Sequence, residues 1–88
     1  MAWKVSFEPR AAKELAKLAQ QAQQRIVRFL QERITGDHDP RDLGKPLIGD
    51  KAKLWRYRVG SYRIVCRIED ERLMVLVVRV GHRKDIYR

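Results

Sequence analysis

Trp3-Lys4-Val5-Ser6-Phe7-Glu8 alternates apolar and polar residues with a period of two, which predicts a half-buried first strand. Pro9 ends it and suits the first turn of a helix, where the missing N–H is no loss. The period then changes. Ala12, Leu15, Ala16, Leu18 and Ala19 mark an apolar stripe, with Arg10, Lys13, Glu14 and Lys17 outside it. A second helical stretch runs from about Gln21 to Ile34, with Ala22, Ile26, Val27, Phe29, Leu30 and Ile34 at helical spacing, and Gly36 supplies its stop. The two stretches predict an antiparallel helical hairpin, joined between Ala19 and Gln23.

Glycines and prolines crowd the span from Asp37 to Lys53, so it reads as a loop crossing to a sheet, pinned to the core by Leu43, Leu47 and Ile48. Three strands follow, over about 54–59, 62–68 and 72–80, the last apolar on both faces as a buried central strand requires. Glu69-Asp70-Glu71-Arg72 forms an acidic, exposed turn before it. The expected fold is α+β in β-α-α-β-β-β order: an antiparallel sheet with the N-terminal helical hairpin packed on one face, all within one domain spanning 1–88.

The hairpin of the first two of these strands carries the sharpest signal. Gly60-Ser61 suits a two-residue type II′ turn with glycine at its first central position. Folding there sets Val59 against Tyr62, Arg58 against Arg63, Tyr57 against Ile64 and Trp55 against Cys66. One face then holds Trp55, Tyr57, Val59, Tyr62, Ile64 and Cys66, and the other Arg56, Arg58, Arg63 and Arg67. Like charges directly opposite on a sheet are destabilising. The usual explanation, a solvated face with nearby carboxylates, lacks its partners: between Leu43 and Ile68 the only acid is Asp50, against seven basic residues. A bound polyanion accounts for the pattern.

Charge over the whole chain agrees. The net is +9, and it is uneven: residues 1–42 hold eight Lys/Arg against six Asp/Glu, residues 43–88 twelve against five. That points to nucleic acid or an acidic protein partner. An anionic membrane is the weakest third option, because the longest apolar run, Leu73 to Val78, is far short of a spanning helix, and the absence of a charged-then-apolar leader places the expected site of action in the cytoplasm. Cys66 reads as a small core residue. One cysteine and two separated histidines give no metal-ligand spacing, so neither a metal nor any other cofactor is expected.

Arginines beside aromatics suit single-stranded nucleic acid, guanidinium forks gripping phosphates and Tyr87 stacking on a base. If chemistry occurs there, cleavage of RNA is the economical choice, because the 2′-hydroxyl is an internal nucleophile. Arg56, Arg58 and Arg63 supply electrostatic stabilisation, and His82 is the natural proton-transfer group. The tail after Gly81 is read as turning His82, Arg83 and Tyr87 back over the arginine face, with Lys84 adding charge. His38, in Asp37-His38-Asp39, reads as a surface residue, and Trp3 and Trp55 as core anchors.

The order of elements, the segment Leu54 to Val65 and the segment Val80-Gly81-His82-Arg83-Lys84-Asp85-Ile86-Tyr87 resemble the RelE/ParE toxin superfamily, and its RelE branch in particular. The resemblance implies a ribosome-dependent, metal-independent endoribonuclease that cuts mRNA in the ribosomal A site, leaving a 2′,3′-cyclic phosphate and a 5′-hydroxyl. It implies a cognate antitoxin with an acidic segment, assembly into a hetero-oligomer, and contact with operator DNA only through that complex. By the same resemblance Arg63 stabilises the scissile phosphate, Arg83 is phosphate ligand and general acid, and Tyr87 orients the substrate. Arg56 and Arg58 fall where studied members carry lysines, a departure that removes a proton acceptor and turns attention to His82. Two alternatives stand beside this reading: a ParE-type toxin acting on DNA gyrase, and a non-catalytic nucleic-acid-binding domain.

Overall fold

The computed structural model describes residues 2–47 and 54–82. Strand β1 spans Lys4–Phe7 and α1, opened by Pro9, spans Pro9–Ala16. The stripe that seats α1 is rotated from the expected one. Ala11 is fully buried and Leu15 and Leu18 half-buried, whereas Ala12, Ala16 and Ala19 are exposed. Alanines mark a face only weakly, and close approach of helix to sheet selects the single Ala11. Glu14, expected to face solvent, is turned toward the sheet.

After a short turn α2 spans Gln20–Phe29 and runs on into one turn of π-helix, Leu30–Ile34. Both the backbone N–H and the Oγ1 of Thr35 donate to the Leu30 carbonyl, at 2.8 and 3.1 Å, and so close that wide turn. Gly36, at φ +116°, stops the helix as expected and exchanges backbone hydrogen bonds with Trp3 (2.7 and 3.1 Å), tying the helix end to the first strand.

The crossing segment contains more structure than its composition suggested. A 3₁₀ turn at Pro40–Asp42 is followed by a two-residue strand, β2 (Lys45–Pro46). Leu43 and Leu47 are half-buried; Ile48 lies outside the described residues. The remaining strands are β3 (Trp55–Val59), β4 (Tyr62–Glu69) and β5 (Met74–His82). Gly60 has φ +59° and Ser61 does not share it, consistent with the II′ turn, and each expected pair of the β3–β4 hairpin is found in register. The acidic turn between β4 and β5 is a 3₁₀ turn, Asp70–Arg72, ending on Leu73 in the left-handed region.

The sheet order is β1-β5-β4-β3-β2. It is mixed rather than antiparallel throughout, because β1 pairs parallel to β5, Lys4 beside Met74 and Phe7 beside Val77. A crossover through two helices returns the chain in the same direction, which alternation within either strand cannot reveal. A bulge interrupts the β4–β5 ladder: Val65 pairs with Arg79 but Cys66 with Val77, leaving Val78 as the extra residue.

Both helices cover one face. Ala11, Ile26, Leu30 and Ile34 meet Tyr57, Ile64, Cys66, Val75, Val77 and Val80 in a single apolar cluster, each large side chain contributing about 1.5–3 kcal/mol by leaving water. Cys66 is part of it, and burial pushes its thiol pKa far above the usual value. Among the described residues no helix is long and apolar enough to cross a membrane. The other face of the sheet is covered by no described helix, and it presents the cations.

Candidate nucleic-acid interface

Strand alternation sends Tyr57 and Val59 into the core and therefore Arg56 and Arg58 outward. On β4 the same rule buries Ile64 and Cys66 and turns Arg63 and Arg67 out. Arg58 and Arg63 stand directly opposite one another. The two-residue strand adds a second such rung, Lys45 opposite Arg56, on the same face. Cross-strand neighbours of this kind lie about 5 Å apart at Cβ and repel when both are charged. Neither Lys45 nor Arg56 forms an ion pair with a described carboxylate. Arg63 is half-buried and its Nε fully enclosed, which restricts where its guanidinium can point.

Lys45 is held in place rather than displayed on a loop. Trp55 Nε1 donates to the Leu43 carbonyl at 2.7 Å, and the Tyr57 hydroxyl donates to the Pro40 carbonyl. Burial raises the Tyr57 pKa, so the phenol remains a donor at any ordinary pH. Gly44 has φ +75°, and a Cβ there would meet Arg56 O at 2.3 Å and Trp55 Nε1 at 2.7 Å. Only glycine allows the chain to lie this close to β3. Sequence reasoning missed Lys45 as a site residue because a two-residue strand has no period to read. The glycine one residue before it was the available signal.

The structure separates several residues that the sequence grouped. Gly81 does not turn the chain; β5 runs straight through it, pairing Gly81 with Arg63 and His82 with Tyr62. His82 consequently lies on the Tyr62 face, its ring edge-on to that tyrosine at 5.8 Å between centroids, and not on the arginine face. The ladder partner Arg63 carries the strand past a glycine that alone would have suggested a stop. Arg67 shares the face but sits four residues along β4 from Arg63, about 13 Å away, opposite Leu76. Arg83, Lys84 and Tyr87, with the predicted return of the tail, lie outside the described residues. His38 is exposed, and Trp3 and Trp55 pack against the core as expected.

Two further charged residues frame the hairpin end. Arg25 of α2 lies against the β3–β4 turn, where a Cβ on Gly60 would come within 2.9 Å of its Nη1. Glu14 of α1 accepts from the Val80 amide at 2.9 Å and from Arg79 Nε at 3.0 and 3.3 Å. It takes an amide on the side of β5 that β1, already ended, no longer covers. Among the described residues no group of His, Cys, Asp and Glu gathers closely enough to hold a metal ion. The face can bind phosphates through two consecutive rungs of cations, and the strand end beside it offers one imidazole.

Comparison with known proteins agrees over nearly the full chain. The family model for the ParE toxin of the type II toxin–antitoxin system parDE matches residues 5–87. The toxin RelG of Mycobacterium tuberculosis is 38% identical over 90 residues, covering 100% of this chain and 99% of that protein. A chain of the RelBE2 toxin–antitoxin complex of M. tuberculosis superposes with a TM-score of 0.84 at 33% identity, covering 97% of this chain and 95% of its own. The intact RelBE complex of E. coli gives 0.60 at 28% identity, covering 92% and 96%.

Proposed function

The chain belongs to the RelE/ParE family of type II toxin–antitoxin toxins, and on that footing we propose that it is a ribosome-dependent endoribonuclease that cuts mRNA in the A site and is neutralised by a cognate RelB-like antitoxin. The observation that carries the reading is the pair of like-charged rungs, Lys45–Arg56 and Arg58–Arg63, on a sheet face that no described helix covers. Mutual repulsion on the Lys45–Arg56 rung, which no described carboxylate offsets, is a cost that a bound phosphate chain removes. The names of the relatives, RelG and the RelBE complexes, support the same class.

In this proposal Arg58 and Arg63 hold the scissile phosphate and stabilise the extra negative charge of its five-coordinate transition state. The 2′-oxygen attacks phosphorus and gives up its proton, the bond from phosphorus to the 5′-oxygen breaks, and that oxygen takes a proton. His82, at the end of β5 but on the Tyr62 face, is the proposed proton carrier, and it would have to reach the phosphate from the strand end. Arg83 and Tyr87 are the proposed phosphate ligand with general-acid role and the substrate-orienting ring. An acidic antitoxin segment would compete for the same cations.

Primer extension on a defined message tests the proposal, using programmed ribosomes and ribosome-free RNA with and without the protein. A-site cleavage that is absent from free RNA and lost in Arg63→Ala is the expected result. Cleavage of free RNA alone removes the ribosome requirement. The matching family model is that of ParE, which favours gyrase as the second reading. No cleavage of either RNA, with inhibition of gyrase supercoiling, would establish it instead.

A further inference from the structure

We propose that the cleft where β2 ends against β3 is a nucleotide subsite, taking one base of the bound single strand while Lys45 and Arg56 hold that nucleotide's phosphate. The proposal rests on the nuclease reading and adds a position to it. Strand β2 pairs only with Trp55 and Arg56, so from Tyr57 onward it no longer covers the edge of β3. A cleft of about 270 Å³ opens there. Its walls are Phe29, Tyr57 and Gly44, and Lys45, Arg56 and Arg58 stand at its rim.

Size narrows the occupant. A cavity of about 150 Å³ holds one benzene ring, so this cleft has room for a single purine or pyrimidine and not for a stacked pair. The lining narrows it further. Phe29 is half-buried and meets the fully buried Tyr57 edge-on at 5.7 Å, so Phe29 supplies the accessible aromatic surface of the cleft, while the cations lining it suit an anion joined to a planar ring. The cleft is also built in advance. Gly44 is fitted against the β3 backbone, and Trp55 and Tyr57 fix the preceding loop, so little ordering is left for binding to accomplish.

The charge pattern favours a nucleotide over an acidic peptide. The rim cations continue from Arg56 to Arg58 at one two-residue step, about 6.7 Å, and cross from there to Arg63. A polymer with one charge per repeat follows such a line. Base stacking on an aromatic wall tolerates any sequence, so the subsite would add affinity without setting codon preference.

NMR titration of the ¹⁵N-labelled full chain tests the subsite. The probes are a 2′-O-methylated RNA trinucleotide, which cannot be cleaved, its abasic counterpart, and the peptide Glu-Tyr-Glu. Saturable shifts at Gly44, Lys45 and Tyr57 with the trinucleotide, lost with the abasic form, are expected. Affinity should fall roughly tenfold in Phe29→Leu and several-fold in Lys45→Gln, an exposed change that leaves the core alone and guards against misfolding of the first variant. Shifts confined to Arg58 and Arg63, equal for both RNA probes, overturn the subsite and leave the nuclease standing. Cleft shifts with the peptide alone overturn it in favour of a protein-binding cleft. No cleft shift with any probe overturns it as well, and ribosome cleavage by the same preparation then decides whether the nuclease reading falls with it.

Discussion

Glu14 accepts a hydrogen bond from the backbone amide of Val80 at 2.9 Å, so a helix residue completes a sheet edge that no described strand reaches. The same carboxylate holds Arg79, and both side chains are less than a third exposed. Glu14→Ala leaves that amide without its acceptor and should cost about 1.5–3 kcal/mol, as charge-assisted bonds of this kind do. Amide exchange at Val80 through His82 should quicken more than exchange in β3. Uniform quickening across the sheet would mean that Glu14 contributes to general stability and not to the end of β5.

Tyr57→Phe removes the buried donor to the Pro40 carbonyl and should lower stability by about 1–3 kcal/mol. Because that bond anchors the loop carrying Lys45, RNA affinity should fall too, although the hydroxyl touches no substrate. Gly44→Ala should be worse, about 2–4 kcal/mol, since it adds a left-handed non-glycine residue to a clash with the β3 backbone. Urea denaturation and RNA titration of both variants measure the two effects separately. Full RNA affinity in a well-folded Tyr57→Phe protein would disconnect loop anchoring from binding.

Asp70 and Arg41 form a doubly hydrogen-bonded pair, 2.8 Å at each oxygen, between the β4–β5 turn and the crossing loop. That hydrogen bond is the largest cause holding the Asp70 carboxyl below its ordinary value of 3.8. A carboxyl whose pKa is depressed on folding stabilises the fold above its unfolded pKa, and the contribution disappears as pH falls through its folded value. Wild type and Asp70→Asn should therefore differ most near neutrality and converge between roughly pH 5 and pH 2. Curves that stay parallel over that range would show that the pair has no linkage to folding.

His82→Gln should reduce cleavage on the ribosome by about 10²–10⁴-fold, the usual worth of a general acid or base, while ribosome binding persists. The edge-on contact with Tyr62 makes a control necessary. Tyr62→Phe keeps that ring contact and should cleave normally. Undiminished cleavage in His82→Gln would transfer the proton role to a residue of the tail.

The hairpin was legible because turn chemistry and alternation agree: Gly60-Ser61 sets the register, and every residue from Trp55 to Cys66 then has its face decided. Other features left no local trace. Two residues cannot show a period, so β2 and Lys45 are indistinguishable from loop in the sequence. The apolar character of β5 on both faces concealed its bulge, although burial of Val75, Val77 and Val80 breaks the alternation at that point. A glycine at a strand end suggested a turn, yet Gly81 continues the ladder because Arg63 is present to pair with it. Helical spacing alone assigns Glu14 to solvent, because its partners lie in a strand far along the chain.

The parallel pairing of β1 with β5 has a consequence in time. Lys4 through Phe7 are made well before their ladder partners, Met74 through Val77. Until those emerge, the two helices have no completed sheet to cover, and closing so long a loop is slow. A chain halted before β5 cannot assemble the arginine face against its core. Synthesis itself thus sets the order, and the arginine face gains its full backing only when β5 docks between β1 and β4.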